Sequence, residues 1–294
     1  MKILVICLIT VVILSGTFIY AGGNIMVIVY ALPIEMVIIG GSAVSATMIS
    51  RDKKILTEIV SLTKRASKGS RYHKEHYTSL LAMLYALLRI AKIEGVVALE
   101  KHIDNFDESD IISKYTNIAK EEAVDPFMRD ILRAMTLQLT DPHRLEDMMD
   151  RAIEKIRHER MIVAHTLYTV ADSLPALGIV AAVLGVIRAM GSVDEPPEIL
   201  AGMVGSALVG TFLGVFLAYV IAAPIAGRVE HIIEEEMTLF TVVRDALVAH
   251  ANGIPAHVAV EMARGAVPSH DQPSYDEVEE SLRHSRGGGE AKAA

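Results

Sequence analysis

The sequence predicts an all-α membrane protein: four transmembrane helices in two hairpins, with a helical cytoplasmic insert between them. Mean hydropathy is +0.38, and the apolar residues are bunched rather than spread. Between residues 3 and 50 there is no Lys or Arg, and the only charge is Glu35. Between residues 199 and 227 there is no charge at all. The remaining sequence shows helical rather than period-2 spacing, and aromatics make up only 5% of the chain.

A helix needs about 20 apolar residues to cross a bilayer. Residues 3–50 are long enough for two crossings, with a break at "AGGN" (21–24) and a restart near Pro33. The first crossing has an apolar core longer than the roughly 7–15 residues of a signal peptide, so it reads as a retained span. The stretch "DSLPALGIVAAVLGVIRAMGS" (172–192) holds no ionisable side chain between Leu174 and Ile187. Extended upstream through "MIVAHTLYTVA" (161–171), it becomes the third span. The uncharged run at 199–227 is the fourth. The predicted domains are 1–50 for spans one and two, 51–165 for the insert and 166–227 for spans three and four. Residues 228–294 are read as C-terminal cytoplasmic helices and a disordered tail beginning at "SRGGGEAKAA".

Orientation follows from the basic residues. The loops at 22–30 and 191–198 contain none, whereas Arg51, Lys53, Lys54, Lys64, Arg65, Lys68 and Arg71 follow the second span. The insert and both termini are therefore expected in the cytoplasm. The net charge of −8 identifies no partner, because both signs are interleaved. The single cysteine, Cys7, excludes an intrachain disulfide.

Within the insert, Leu80, Leu81, Leu84, Leu87 and Leu88 share one helical face, and Gly95 interrupts the pattern. Asp125-Pro126 and Asp141-Pro142 each read as an N-cap followed by a first-turn proline. A helix from 228 to 253 stops at Asn252-Gly253, and a short one follows.

Little of this suggests an enzyme. There is no phosphate loop, no dinucleotide fingerprint and no nucleophile–base–orienter set. His73 and His76 form an HxxH without the further ligands a metal needs. No cofactor or metal is expected. The small residues Gly178, Ala181, Ala182, Gly185, Gly205, Gly210 and Gly214 suit close helix packing in lipid. Pro175 and Pro224 each remove an N–H, freeing the carbonyls of Ala171 and Val220. Glu35 is read as a first-turn anion after Pro33, and Asp172 as a cap or kink residue. On this reading the spans hold no acid well inside the membrane, and a proton path needs one from a partner.

Several long motifs resemble the MotA/PomA stator family of the bacterial flagellar motor, related to the ExbB and TolQ energisers. They are "PIEMVIIGG", "LLAMLYALLRIAKIEGVVALEKHID", "DSLPALGIVAAVLGVIRAMGS", "MVGSALVGTFLGVFLAYVIAAPIAG" and "NGIPAHVAVEMARG" with "QPSYDEVEE". The resemblance covers almost the whole chain. It implies an inner-membrane pentamer around a dimer of MotB, a single-span partner anchored to peptidoglycan that supplies the titratable Asp. It implies an ion path lined by Pro175, Ala182, Thr211, Tyr219 and Pro224. Ala182 stands where sodium-driven members carry a second threonine, which favours a proton over Na⁺. It also implies a contact with the rotor protein FliG through Glu100 and a basic residue, Lys92 or, one turn earlier, Arg89. Lys92 keeps the charge of the family's Arg but not its bidentate fork. Two other readings are an ExbB/TolQ-type energiser, whose three spans lack the first hairpin, and a permease subunit, which needs polar groups at the midplane.

Overall fold

The computed structural model describes residues 2–104, 109–119, 124–137 and 141–290, apart from the side chains of 2–4 and 284–290. Among the described residues the chain is helical throughout, with no strand. It divides into two compact units, Met1–Gly69 with Glu159–Ile232, and Ser70–His158 with Ile233–Ala294.

The first unit opens with α1 (Lys2–Tyr20), apolar on every side. The Asn24 side chain accepts the Met26 N–H at 3.0 Å and caps α2 (Ile25–Ser50). That cap corrects the expected restart near Pro33. The helix begins straight after the "AGGN" turn and carries Pro33 inside it. An amphipathic α3 (Lys53–Ala66) follows, burying Leu62 and Ala66. Further on come α8 (Pro142–Met190), α9 (Pro197–Phe216), a π-helical segment (Leu217–Ala222) and α10 (Ala223–Ala251). The helices α8 and α10 each contribute to both units. The core of the first unit joins Ile39 and Ala43 to Leu174, Ala181, Leu213 and Ala218.

Three helical stretches are long and apolar enough to cross a membrane: Ile25–Ser50, Pro142–Met190 and Pro197–Ala251. The expected first span appears as a shorter apolar helix, Val5–Tyr20. Much of this surface is outward and apolar, including Ile6, Leu8, Val12, Ile13, Ile179 and Ile187. Lipid satisfies such a surface; water does not.

The second unit is built around α4 (Lys74–Ile93). Leu80, Leu81, Leu84, Leu87 and Leu88 are buried as their spacing predicts. Tyr77, Ala82, Met83 and Tyr85 are buried too, so α4 is enclosed on more than one face. A short 3₁₀ turn (Val96–Leu99) leads to α5 (Glu100–Asp104), and another (Ile112–Tyr115) to α6 (Thr116–Ala119) and α7 (Val124–Thr136). Phe127 on α7 meets Phe240 on α10 edge-to-face at 5.1 Å.

Asp141 caps α8 as expected, accepting the His143 N–H at 3.0 Å. Asp125 instead lies one residue inside α7 and pairs with Arg129. Two short helices close the unit, α11 (Ala256–Arg264) and α12 (Tyr275–Glu290). Ser274 and Glu277 form a capping box at the start of α12: the Ser274 N–H donates to Glu277 Oε2 at 2.6 Å, and the Glu277 N–H to Ser274 Oγ at 3.3 Å. The tail expected to be disordered from Ser285 is helical as far as Glu290, while 291–294 lie outside the described residues.

Candidate functional site

Bare backbone sets the contact between α8 and α9. A Cβ added at Gly178 would lie 2.8 Å from the Gly210 carbonyl oxygen and 3.0 Å from Gly214 Cα. One added at Gly214 would lie 2.7 Å from the Leu174 carbonyl oxygen and 2.8 Å from Gly178 Cα. Nothing larger than glycine fits there, which is how small residues let membrane helices approach. The small-residue pattern therefore has a packing role, and it holds the levels of Ala182 and Thr211 side by side.

Ala182 and Thr211 are both half-buried. The hydroxyls of Thr47, Thr166 and Thr169 donate to the carbonyl four residues back, at 2.7, 2.7 and 2.9 Å. Among the described residues the Thr211 hydroxyl makes no such bond, so it is open to water or an ion. Pro175 is half-buried inside the continuous α8, where the Ala171 carbonyl lacks its usual donor. Asp172 is exposed within the same helix and caps nothing, which corrects the reading of it as a cap. Next to it the Ser173 hydroxyl donates to the Val170 carbonyl at 2.7 Å.

Pro224 has a larger effect than the sequence predicted. The π-helical segment ends at Ala222, two residues before it, and the Ala223 N–H donates to the Ala218 carbonyl, five residues back. The Tyr219 carbonyl thus loses Ala223 as its α-helical donor, and the Val220 carbonyl has only the proline. Two successive carbonyls are opened where one was expected. Tyr219 itself is 65% exposed, so its ring faces out of the single chain. Single-turn π segments recur at functional sites. Proline marked the position, but only the backbone reveals the shift in register.

The placement of Glu35 overturns the reading that the spans hold no interior acid. It is the eleventh residue of α2, not a first-turn anion, and only 6% exposed. Among the described residues its Oε2 has no hydrogen-bond partner. The carboxylate lies against Gly210 of α9, where an added Cβ would be 2.7 Å from Oε2, 3.1 Å from Ala181 Cβ and 3.2 Å from the Ala182 nitrogen. Three helices meet there, one residue from Thr211.

The charged candidates lie in the second unit. Lys92 is exposed in the last turn of α4 and Arg89 is half-buried one turn earlier. Gly95, at φ +92°, ends the helix, so Lys92 and Glu100 do not share a continuous helical face. Glu100 is exposed at the start of α5 and borders a cavity of about 340 Å³ with Ile103, Asp104, Arg133, Thr136 and Leu137. Arg133 pairs with Asp104 at 3.0 Å, whereas Lys92, Arg89 and Glu100 have no ion-pair partner among the described residues. Nearby, burial and then the Lys92 charge lower the pKa of His250.

No cluster of His, Cys, Asp or Glu among the described residues could hold a metal. The HxxH serves a helix start instead: the His73 N–H donates to His76 Nδ1 at 3.3 Å.

The family "Motility protein A N-terminal" matches residues 4–95, and the "MotA/TolQ/ExbB proton channel family" matches residues 119–241. Motility protein A of Salmonella typhimurium and that of Escherichia coli are each 34% identical over 268 residues, spanning 91% of this chain and 90% of theirs. Chemotaxis protein LafT of Vibrio parahaemolyticus is 30% identical, spanning 92% of this chain and 95% of its own. The fold resembles two solved structures. MotAB of C. jejuni has TM-score 0.69 at 20% identity, covering 93% of this chain and 98% of that one. The flagellar MotAB stator complex from Bacillus subtilis has TM-score 0.66 at 22% identity, covering 92% and 98%.

Proposed function

The chain belongs to the MotA/TolQ/ExbB proton channel family, in its motility protein A branch; from that premise we propose that, as a flagellar stator subunit, it walls a proton path and turns proton flow into torque. It is not an enzyme. Its partner is a MotB-type single-span protein anchored to peptidoglycan, around whose dimer five copies of this chain assemble. In this reading α1 and α2 form one membrane hairpin, and the apolar parts of α8 and α9 with the π segment form the other. Both termini and the second unit lie in the cytoplasm of an inner-membrane assembly. The first hairpin distinguishes the chain from a three-span energiser.

The observation that carries the reading is the α8–α9 pair. Glycine packing fixes the two helices at backbone contact, and the free Thr211 hydroxyl and the carbonyls opened at Pro175 and Pro224 punctuate an otherwise apolar wall. Polar atoms so sparse suit a proton moving over water and a carboxylate, because dehydrated Na⁺ needs a shell of oxygen ligands. Proton arrival on the partner's Asp shifts the proline-broken helices. The charged edge around Lys92, Arg89 and Glu100 then pushes on the rotor protein FliG.

Complementation of a nonmotile deletion strain tests this. The unaltered chain is expected to restore swimming, and Pro175→Ala, Thr211→Ala and Glu100→Lys to restore it poorly while still reaching the membrane. Full swimming by all three variants would refute the site assignment, and failure of the unaltered chain to restore motility would refute the function.

A further inference from the structure

Glu35 is a carboxylate in the middle of an apolar helix, and the mechanism just given makes no use of it. Three observations place it. It is more than nine-tenths buried within one chain, and its Oε2 has no partner. It points at Gly210, the residue before Thr211, at a position any larger side chain would occupy. The same position touches Ala181 and Ala182 on α8. Glu35 therefore lies directly behind the two residues assigned to the path, at the junction of α2, α8 and α9.

At about 1.5 Å per residue, Glu35 lies roughly 15 Å from the Ile25 end of α2 and roughly 22 Å from its Ser50 end. That is near the middle of a hydrocarbon core about 30 Å thick. No Lys, Arg or His lies in α2, in residues 174–187 of α8 or in α9, and the acids there are Glu35 itself and Glu198 in the first turn of α9. Tyr30, also on α2, is exposed. An ionised carboxylate without a partner is costly at this depth, so the group rests with a proton on it. A glutamic acid kept only for shape has cheaper substitutes: methionine or leucine fills the volume without a polar atom to bury.

We propose that Glu35 is a second proton-binding site of the path, a donor carried by this chain itself that exchanges its proton with water at the Thr211 level. The Oε2–H bond breaks as the proton passes to a path water, leaving a carboxylate beside Gly210. A proton from the outer side restores the acid. The proton given up goes on to the partner's carboxylate, so the number of protons is conserved in each cycle. Gly210 lets the carboxyl group reach between α8 and α9. This rests on the proposed proton path and adds a site to it.

The test uses the full complex of this chain with its single-span partner, in vesicles and in swimming cells. Glu35→Gln keeps the shape and hydrogen-bonding capacity of the neutral acid but cannot release a proton. It is expected to assemble normally and to lower proton flux and swimming speed by ~10-fold or more. Glu35→Asp, which keeps the titratable group, is expected to recover part of both. An infrared difference spectrum taken as a proton gradient is imposed should show a protonated-carboxyl band that is absent from Glu35→Gln. Wild-type flux in an assembled Glu35→Gln complex, or a carboxyl band unchanged by it, would overturn the proposal and leave Glu35 as packing. Should Glu35→Gln fail to assemble, Glu35→Asp decides: assembly without any flux overturns the proposal, and partial flux supports it. Absence of proton flux in the unaltered complex would instead count against the path itself.

Discussion

In the proposed path Ala182 and Thr211 between them offer a single hydroxyl. One hydroxyl is too few oxygen ligands for dehydrated Na⁺, so motility should survive sodium removal and stop when the proton gradient is collapsed. A second residue, in the other unit, contributes to the response to pH. His102 is buried, with its Nδ1 2.8 Å from Ser109 Oγ, and burial holds its pKa below the usual imidazole value, opposed by Asp110 and Glu94 and assisted by Lys101. The folded state therefore takes up a proton at lower pH than the unfolded one. Its stabilisation is complete above the unfolded value of about 6.5 and is lost as pH falls from there towards the folded value. Thermal melting between about pH 7.5 and about pH 5.5 should show a steeper acid loss for the natural protein than for His102→Gln. Equal slopes would remove His102 from the account. Residue types with a fixed spacing were legible in the sequence, as the leucines of α4 show. The environment of Glu35 was not, because a helix start at Asn24 rather than Pro33 moves it from an end to the interior.

Helix continuity matters as much as composition. The sequence places boundaries near Met161 and Arg228, where apolar runs give way to charge, yet α8 runs unbroken from Pro142 to Met190 and α10 from Ala223 to Ala251. Composition reports the solvent around a helix, whereas its backbone stops only at a breaker: none lies at Met161, and the one before Arg228, Pro224, falls in the first turn of α10. The Ser274–Glu277 capping box is legible in the sequence as a Ser-x-x-Glu pattern. The π segment has no such signature beyond Pro224. Two substitutions test these elements. Gly214→Val forces a side chain into the Leu174 carbonyl and Gly178, and should destabilise the purified protein by about 1–3 kcal/mol in thermal unfolding. Pro224→Ala returns a donor to Val220, so it should leave melting unchanged or raise it while swimming is lost. Retained swimming would show that the opened carbonyls are not used.

The whole chain presents apolar side chains outward along α1, α2, α8 and α9, as a bilayer and neighbouring copies require. Gly40 and Gly41 have nothing within 4 Å in the single chain, leaving a bare strip on α2 open to a neighbour. Membrane character and helical class were plain from charge-free runs alone. Assembly was not, because the sequence of one subunit does not show what faces its outer surface. The account's central claim is that this chain walls a proton path that works only with its single-span partner. Reconstitution into sealed vesicles under an imposed proton gradient tests it most directly. Proton uptake is expected when chain and partner are inserted together, and none when the chain is inserted alone or when the partner's membrane Asp is replaced by Asn. Free proton uptake through the chain alone would contradict it.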